Sequence, residues 1–568
     1  MALISIRVEI FTEVFKVSHV WYKAYESSVS QHIDPKVYEN IVHIFDQSFK
    51  TYASRPAFHN MGTTLTYAEL AELGKRFGDY LQNELKMKPG DRIAIMMPNI
   101  LQYPIALVGA LYAGLVVVNC NPLYTARELE HQLKDSEAKA IVIFENSASV
   151  LEAVLAHSGV QHVITTGIGD MLAFPKNHIV NFVIKHVKKM VPKFNIPKAI
   201  KFNDAVERGQ ASRLKSPKLG HSDLAFLQYT GGTTGVSKGA ELTHGNIVSN
   251  MMQAREWIKN ALRPGEEVII TPLPLYHIFS LTANMLTFSS IGGLNILITN
   301  PRDVPAFIKE LKKWQFTTIT GVNSLFNLLL NHPGFDGVDF KSLRLALGGG
   351  MAVQKAVAER WKKVTGVALI EAYGLTETSP AACINPLSNK EYNGFIGVPI
   401  SSTVVSIRND DNGVCKIGDV GEICISGPQV MRGYWKRPEE TAKVMTPDGF
   451  FRSGDLGFMT DDGFIKIVDR KKDMILVSGF NVYPNEVEDV MMAHPKVLEC
   501  AAVGVADEHS GELVKLFVVK KDQSLTEDEL KAFAKANLTG YKVPKFFEFR
   551  KELPKSNVGK ILRKELRK

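Results

Sequence analysis

The chain has 568 residues, 45% of them hydrophobic and 22% charged, and its net charge of +8 is too small to indicate a nucleic-acid partner. At about 150 residues per domain, this length predicts two to four domains, and the composition excludes a disordered, fibrous or integral-membrane protein. Five cysteines without a C-x-x-C spacing fit neither a disulfide framework nor a zinc site, so we expect a reducing, cytoplasmic compartment.

Residues 1–19 are the first predicted element, an N-terminal extension of unknown role. Ile4, Val8, Phe11 and Phe15 follow helical spacing, but the charged residues between them interrupt any signal-peptide core, so we expect no secretion signal. Two interpretations stay open: an amphipathic helix that docks on the rest of the protein, or one that rests on a membrane surface.

The longest uncharged stretch, residues 93–126, comes next and has to be tested as a membrane span. Its unbroken apolar part, residues 105–118, has only 14 residues, whereas a spanning helix needs about 20. The stretch therefore predicts a strand, a helix and a second strand, all buried inside the protein.

Between residues 90 and 375, short runs rich in Val and Ile alternate with longer segments of helical periodicity. This alternation predicts parallel sheets covered by helices, with ligands at the C-terminal ends of the strands. Closely spaced strands after residue 400 predict a small β subdomain. The charged run 469–473 predicts a loop at a domain boundary, and the segment beyond it, with a helix predicted over residues 484–492, is typical of a compact α+β unit. The predicted strands of the large part are 92–97, 140–144, 268–271, 295–298, 317–320, 344–347 and 367–370.

Basic charge is concentrated in two segments. Residues 171–203 contain no acidic residue, and lysines alternate there with apolar side chains, which is typical of a segment on an anionic membrane surface. Residues 541–568 hold 10 Lys or Arg and 3 Glu, a balance that attracts polyanionic small molecules or acidic lipids. We expect peripheral contact with the inner face of the cell membrane, and the sequence leaves a homodimer open.

Residues 229–240 combine glycines, hydroxyls and a lysine in the manner of a phosphate-binding loop. A Walker loop needs Gly before its Lys and Ser or Thr after it, whereas Lys238 lies between Ser237 and Gly239. Residues 235–239 also match the G-x-S-x-G pattern of a hydrolase nucleophile elbow, which requires the strand to run directly into the turn. Because a Gly and Thr run intervenes, we favour phosphate binding over a serine nucleophile.

Six segments in order resemble the motifs of the adenylate-forming enzymes, which include acyl-CoA synthetases, peptide-synthetase adenylation domains and luciferases. One motif alone would be weak evidence, but six in the family order are specific. The wider similarity, from about residue 20 to the C terminus, is to bacterial long-chain-fatty-acid:CoA ligases. The six segments are the phosphate loop 229–240, the carboxylate-side segment 274–279, the adenine and magnesium segment 373–377, the ribose segment 451–455, the hinge segment 469–473 and the lysine loop 554–560.

The resemblance implies an α/β fold with a large N-terminal AMP-binding domain of helix-covered sheets over residues 20–468. This domain includes a β-rich subdomain at 400–468 and is followed by a mobile α+β C-terminal domain at 469–568. The implied enzyme is an ATP-dependent ligase that activates a long-chain fatty acid as acyl-AMP, releases pyrophosphate and transfers the acyl group to coenzyme A. Mg²⁺ is the implied cofactor, with ATP and coenzyme A as co-substrates.

The resemblance also implies roles for single residues. Lys560 is expected to bridge the fatty carboxylate and the α-phosphate, and Glu377 and the Thr230 hydroxyl are expected to hold Mg²⁺. The expected ATP and AMP contacts are Tyr229, Thr230, Gly231, Gly232, Thr233, Thr234, Gly235, Ser237, Lys238, Gly349, Gly350, Met351, Tyr373, Gly374, Thr376, Asp455, Arg470 and Lys472.

Four further residues complete the expected site. His277 and Phe279 are expected to shape the acyl pocket, although a histidine packed in the core is the plainer interpretation of His277. Asp469 is the expected hinge about which the C-terminal domain rotates between the two half-reactions. Gly479 is expected to permit close passage of pantetheine in the coenzyme A channel.

Other functions share part of this pattern. A medium-chain or aryl-acid CoA ligase would carry the same motifs, and Gly374 leaves the acyl pocket unblocked, which permits long chains without requiring them. A peptide-synthetase adenylation domain is disfavoured because no carrier domain follows the lysine loop. An acyl esterase of the α/β-hydrolase class rests on residues 235–239 alone, and a fatty-acid-binding membrane protein would need neither Glu377 nor Lys560.

Overall fold

The structure, a computed structural model, describes residues 20–230, 237–507, 509–556 and 559–567, which form four β-sheets with helices packed around them. The strands are β1 Pro56–Asn60, β2 Thr63–Thr66, β3 Arg92–Met96, β4 Val116–Asn119, β5 Ala138–Phe144, β6 His162–Thr166, β7 Ile200–Lys201, β8 Leu224–Thr230, β9 Lys238–Thr243, β10 Val268–Thr271, β11 Leu294–Leu297, β12 Thr318–Gly321, β13 Leu345–Gly349, β14 Leu369–Gly374, β15 Ala381–Ile384, β16 Val398–Pro399, β17 Val404–Arg408, β18 Gly421–Ser426, β19 Phe451–Met459, β20 Ile465–Arg470, β21 Ile475–Val477, β22 Phe480–Val482, β23 Val497–Asp507, β24 Gly511–Lys520 and β25 Phe546–Arg550.

The helices surround these sheets and connect most of the parallel strands. They are α1 Ile41–Thr51, α2 Tyr67–Asp79, α3 Gln102–Tyr112, α4 Ala126–Ser136, α5 Ala148–Ser158, α6 Lys176–Phe182, α7 Phe202–Arg208, α8 His244–Ile258, α9 Thr287–Ser289, α10 Val304–Leu311, α11 Asn323–Leu330, α12 Lys355–Thr365, α13 Pro438–Val444, α14 Pro484–Met492, α15 Glu527–Asn537 and α16 Arg563–Leu566. A π-helical turn, Ser280–Leu286, leads directly into α9.

The first large sheet has seven strands in the order β7-β6-β5-β3-β4-β8-β9, all parallel to their neighbours except the antiparallel pair β8–β9. Strands buried on both faces form continuous apolar runs, and β4 is buried at every position. Helix α3 is likewise buried along its whole length. The uncharged stretch 93–126 is therefore the predicted strand, helix and strand of the interior.

The second large sheet has nine strands in the order β16-β15-β14-β13-β12-β10-β11-β1-β2. Its centre, from β14 to β1, is parallel, while β2, β15 and β16 run antiparallel at the two edges. Because β13 and β14 are parallel neighbours, their C-terminal ends, Gly349 and Gly374, lie at the same edge of the sheet. Both of these segments were predicted to contact the nucleotide.

Two smaller sheets follow along the chain. Strands β17-β18-β19-β20 form an antiparallel sheet, which is the predicted β-rich part. The last sheet has the order β22-β21-β24-β23, with β25 also paired to β24, and α14 and α15 pack together beside it. The α/β fold with a terminal α+β unit is thus confirmed.

One element differs from its prediction. The charged run 469–473 was expected to be a loop, but Asp469 and Arg470 are the last two residues of β20 and pair with Leu456 and Asp455 of β19. Charged side chains are tolerated at this end of the strand because β19 provides an ion-pair partner for Arg470 and the start of α14 provides a hydrogen-bond donor for Asp469. The turn begins only at Lys471.

Most residues of the acid-free segment 171–203 are at least partly exposed, whereas Leu172, Ile196 and Phe202 are buried. The segment contains the short helix α6, none of whose residues is buried, and Phe174 and Phe182 expose 80% and 60% of their surface. Within the described residues, no helix combines the length and the apolar composition required to cross a bilayer.

Candidate active site

The two sides of the phosphate loop are an antiparallel strand pair. Thr230 ends β8 and Lys238 begins β9, and the Ser237 hydroxyl donates to the Thr230 carbonyl at 2.6 Å. Most of the loop, namely Gly231, Gly232, Thr233, Thr234, Gly235 and Val236, lies outside the described residues. The Ser237 hydroxyl bonds to a backbone carbonyl, and among the described residues it shows no nucleophile–base contact of the kind an esterase requires.

Tyr229 and Lys238, both expected to bind ATP, have protein partners here. The Tyr229 hydroxyl donates to Asp135 at 2.7 Å. The Lys238 ammonium donates to Glu440 at 2.6 Å and lies 5.0 Å from the centre of the Tyr434 ring. Glu440 accepts hydrogen bonds from two lysine side chains, of which Lys238 is one. These hydrogen bonds lower the pKa of the Glu440 carboxyl to about 2.

Gly349, Gly350 and Met351 follow β13 at the edge where β14 also ends. A side chain at Gly349 would approach the Phe279 ring to 3.2 Å, so this expected acyl-pocket residue lies against the expected adenine segment. Gly350 has a φ of +76°, a backbone conformation that favours glycine. The carboxylate-side segment and the glycine segment therefore share one cleft.

The ribose segment and the adenine segment meet through side chains. The Tyr373 hydroxyl donates to Asp455 Oδ2 at 2.7 Å, and Arg470 Nε lies 3.2 Å from Asp455 Oδ1. Asp455 and Arg470 are directly opposite each other on β19 and β20. Next to them, Ser453, Gly454, Arg470, Lys471 and Lys472 line a cleft of about 290 Å³.

Gly374 is required for a reason that the sequence did not reveal. A Cβ atom at this position would lie 2.0 Å from the backbone oxygen of Pro380, because the pairing of β14 with β15 shifts register there. The close approach of two backbones, rather than space for an acyl chain, accounts for this glycine. The adjacent Thr376 begins the short turn Thr376–Thr378.

Glu377 lies in that turn and is buried. Burial raises the pKa of its carboxyl, and a hydrogen bond from the Tyr434 hydroxyl to Oε1, at 2.7 Å, opposes the rise. The turn packs against β8 and β9, which carry Thr230 and Lys238. A buried carboxylate on a turn that packs against the strand ending in Thr230 would suit Mg²⁺, which takes one or two protein oxygens together with phosphate oxygens.

The described residues hold no cluster of three or more His, Cys, Asp or Glu side chains that would enclose a metal without substrate. Sequence reasoning missed Tyr434, which is 57 positions from Glu377. In the sequence, Tyr434 follows Gly433 in a segment that resembles none of the six motifs.

Lys560, from the C-terminal part of the chain, lies within range of the charges of Arg470 and Asp455. Burial and the charge of Arg470 lower the pKa of its ammonium to about 7, while Asp455 opposes the shift. Burial first, and the charge of Lys560 second, lower the pKa of His277 to about 4, which favours the neutral imidazole. Burial also lowers the pKa of Lys472 to about 8.

The lysine loop docks on helix α11. The Ser324 hydroxyl donates to the Gly559 carbonyl at 3.3 Å, and Gly559 has a φ of +82°. Within the loop, the Lys560 backbone N–H donates to Ser556 Oγ at 3.1 Å. Two loop residues, Asn557 and Val558, lie outside the described residues.

Asp469 directly precedes Arg470 on β20, and Gly479 lies in the sheet that follows. Asp469 is fully buried and accepts a hydrogen bond at 2.8 Å from the backbone N–H of Asn485, at the start of α14. Burial raises the pKa of Asp469 to about 6, and the charge of Arg563 opposes the rise. Gly479 forms the tip of the β21–β22 hairpin with a φ of +82°, and a side chain there would meet nothing within 4 Å.

Comparison with known proteins places this arrangement in context. The family model described as AMP-binding enzyme matches residues 45–435, and that of the AMP-binding enzyme C-terminal domain matches residues 486–560. A long-chain-fatty-acid–CoA ligase of Escherichia coli O6:H1 is 55% identical over 548 residues, which cover 96% of this chain and 98% of that protein. One of Haemophilus influenzae is 53% identical over 551 residues, with coverages of 96% and 98%.

Solved structures are similar as well. A benzoate CoA ligase from Burkholderia xenovorans LB400 has a TM-score of 0.80 and 25% sequence identity to this chain. The match covers 93% of this chain and 100% of that one.

Proposed function

This chain belongs to the AMP-binding enzyme family, and we propose that it is an ATP-dependent ligase that joins a long-chain fatty acid to coenzyme A. The observation that carries the proposal is that Lys560 lies close enough to Asp455, Arg470 and His277 for their charges to interact. A cation in that place is what the first half-reaction needs.

The first half-reaction brings two anions together. A carboxylate is a poor electrophile, so one of its oxygens attacks the α-phosphorus of ATP, pyrophosphate leaves, and the product is acyl-AMP. Stabilising the charge that develops is usually the largest contribution in such sites. Lys560 supplies a cation between the two reactants, and Arg470 and Lys472 add positive charge from the hinge side. His277 is neutral and contributes shape to the acyl end of the cleft.

The nucleotide contacts follow from the same geometry. Tyr373 and Asp455, already hydrogen-bonded to each other, would contact the adenine and the ribose hydroxyls. Gly349, Gly350 and Met351 would lie against the adenine, because their backbone is not covered by large side chains. Glu377 and Thr230 would hold Mg²⁺, which supplies charge neutralisation at the phosphates when it is bound.

In the second half-reaction the coenzyme A thiol attacks the acyl carbon and AMP leaves. Lys560 has no part in that step, so the C-terminal domain, from Asp469 onward, would rotate and bring the Gly479 hairpin to the site. The separate sheet that begins with β21 supports a domain division after β20, close to residue 469. The proposal includes this second orientation of the C-terminal domain.

We further propose peripheral contact with an anionic membrane, since the substrate itself partitions into bilayers. The support is the surface segment around α6, where apolar side chains are exposed among lysines: Phe174, Ile179, Phe182, Val187 and Met190. Such a segment can rest in the headgroup region with its lysines near acidic lipids.

Pyrophosphate release tests the central proposal. With ATP and Mg²⁺ we expect release that depends on added acid and is fastest with palmitate, slower with octanoate and slowest with benzoate. Coenzyme A should then convert the adenylate to acyl-CoA. Fastest release with benzoate would favour the aryl-acid alternative, and ester hydrolysis without ATP would favour the esterase.

The metal assignment is tested by Glu377→Ala. We expect this variant to lose acid-dependent pyrophosphate exchange, because the triphosphate has lost its metal bridge. Near-wild-type exchange at saturating Mg²⁺ would contradict the role of Glu377.

A further inference from the structure

Residues 431–435, which we term the bracket, connect two parts of the site that are distant in sequence. The bracket lies alongside β9 as an extra strand: Trp435 N–H donates to the Gly239 carbonyl at 2.8 Å, and Glu241 N–H donates to the Gly433 carbonyl at 2.8 Å. At its other end, Met431 N–H donates to the backbone carbonyl of Glu377, also at 2.8 Å. The strand after the phosphate loop and the Glu377 turn are therefore held to the same segment.

Tyr434 is the side chain of the bracket that faces both parts. It is 8% exposed, and its hydroxyl donates to Glu377 Oε1 at 2.7 Å. Its ring faces the Lys238 ammonium, whose other partner is Glu440. The phenol thus lies between a phosphate-loop lysine and a buried carboxylate.

We propose that Tyr434 is a positioning residue that fixes the orientation of the Glu377 carboxylate for Mg²⁺ bound with ATP. This inference rests on the proposed function, in which Glu377 holds the metal. It adds a residue that acts on the metal through Glu377 and not by direct contact.

The physical basis is the restricted rotation of a hydrogen-bonded carboxylate. A carboxylate on a short turn has several orientations of similar energy, and only some of them direct an oxygen at a metal. A hydrogen bond from a rigid, buried phenol to one oxygen selects among those orientations before the metal arrives. Partners of this kind usually change metal affinity 10- to 100-fold when they are removed.

The test is Tyr434→Phe, which removes the hydroxyl and keeps the ring beneath Lys238. Tyr67→Phe is the matched control, because the Tyr67 hydroxyl is also buried and donates at 2.7 Å, to the Gly293 carbonyl far from this site. We would titrate each protein with Mn²⁺ in the presence of ATP and follow free Mn²⁺ by electron paramagnetic resonance. In parallel, the Mg²⁺ concentration for half-maximal pyrophosphate release would be measured.

We expect Tyr434→Phe to bind Mn²⁺ ~10-fold more weakly and to need ~10-fold more Mg²⁺, while the KM for the fatty acid stays unchanged. Tyr67→Phe should behave as wild type in both measurements. Wild-type metal affinity in Tyr434→Phe would overturn the inference, as would an equal weakening for metal and fatty acid.

The double variant Glu377→Ala with Tyr434→Phe shows whether the tyrosine acts through the carboxylate. We expect the second change to add nothing to the Mn²⁺ affinity of Glu377→Ala, since residues that act through one another are not additive. A further loss in the double variant would refute the positioning role. If Glu377→Ala alone left metal binding intact, the metal site of the proposed function would fail, which is a distinguishable result.

Discussion

The charges of Arg470, Arg563 and Lys472 disfavour the ammonium form of Lys560, and the charge of Asp455 favours it. Burial and the charge of Arg470 lower the pKa of Lys560 to about 7, so without bound substrate about half of its ammonium is deprotonated at neutral pH. A polyphosphate or a carboxylate beside it would favour the charged form. The side chain is therefore poised to gain charge when an anionic substrate arrives.

Replacing this lysine should separate the two half-reactions. We expect Lys560→Ala to slow adenylate formation by at least ~10²-fold, as for removal of one charge-stabilising group. Thioester formation from preformed acyl-adenylate and coenzyme A should persist. Lys555→Ala is the control, because the Lys555 ammonium is bound to Glu499 of its own domain. An equal loss in both half-reactions would contradict the alternating-domain proposal.

The lowered pKa also predicts proton uptake on ATP binding. Above about pH 7 the Lys560 side chain is mostly neutral without bound substrate. ATP should raise its pKa, so binding at pH 8 should take up a proton. At pH 6 the lysine is already charged and uptake should be small. Calorimetry in two buffers of different ionisation enthalpy measures this uptake. The same uptake in Lys560→Ala would show that another group is responsible.

Single residues could be identified from the sequence where a local motif contains them. Tyr373, Glu377 and Asp455 lie in short segments that resemble the family's motifs and follow the family order. The structure brings Tyr373 and Asp455 into contact. Tyr434 could not be found this way, because its relation to Glu377 exists only in space. The reason why position 374 must be glycine could not be found from the sequence either, because it depends on the backbone oxygen of a residue six positions later.

Strands and helices were predictable where burial or a cap defines their ends. The predicted strand 268–271 coincides with β10, and the helix expected over residues 484–492 coincides with α14, which has Pro at its start. The end of β20 was missed because Asp469 and Arg470 look like loop residues. Their partners, Asp455 and the start of α14, come from other elements and cannot be read from the local sequence.

The docking of the lysine loop on α11 depends on Gly559. A Cβ atom there would lie 2.6 Å from Ser324 Oγ, and the φ of +82° disfavours any side chain. We expect Gly559→Ala to reduce adenylate formation by ~10- to 100-fold, since a left-handed conformation alone costs about 1–2 kcal/mol. Thioester formation from preformed adenylate should be unaffected.

Gly540→Ala is the matched control for this change. Gly540 lies in the same domain, but an added Cβ would meet nothing within 4 Å and its φ is not in the strained range. We expect wild-type rates in both half-reactions. Full adenylation activity in Gly559→Ala would show that the observed docking is not the adenylating one.

At the scale of the whole molecule, the surface around α6 predicts how the protein meets a bilayer. Replacing Lys185, Lys188 and Lys189 by Glu should reduce sedimentation with anionic vesicles at low salt, because each lysine near such a surface contributes about 1 kcal/mol. Turnover of a detergent-solubilised acid should stay nearly unchanged.

A triple change elsewhere separates local contact from net charge. Lys355, Lys363 and Lys535 are exposed away from this segment, and their replacement by Glu changes the net charge equally. We expect that variant to retain vesicle binding. Equal loss in both triple variants would show that the overall charge, and not the α6 surface, governs the association.

Strand β24 has a consequence for the timing of the reaction. The Gly479 hairpin is paired to β24 through Val477 and Gly511, and β25, which precedes the lysine loop, is paired to the same strand. The hairpin and the lysine loop are therefore attached to one strand, and in the proposed mechanism each turnover requires the C-terminal domain to rotate once in each direction. Higher solvent viscosity slows large domain motions, so we expect added sucrose to reduce the rate of overall turnover. ATP–pyrophosphate exchange requires no domain rotation and should keep its rate. Equal slowing of the two rates would show that the chemistry does not wait for the domain.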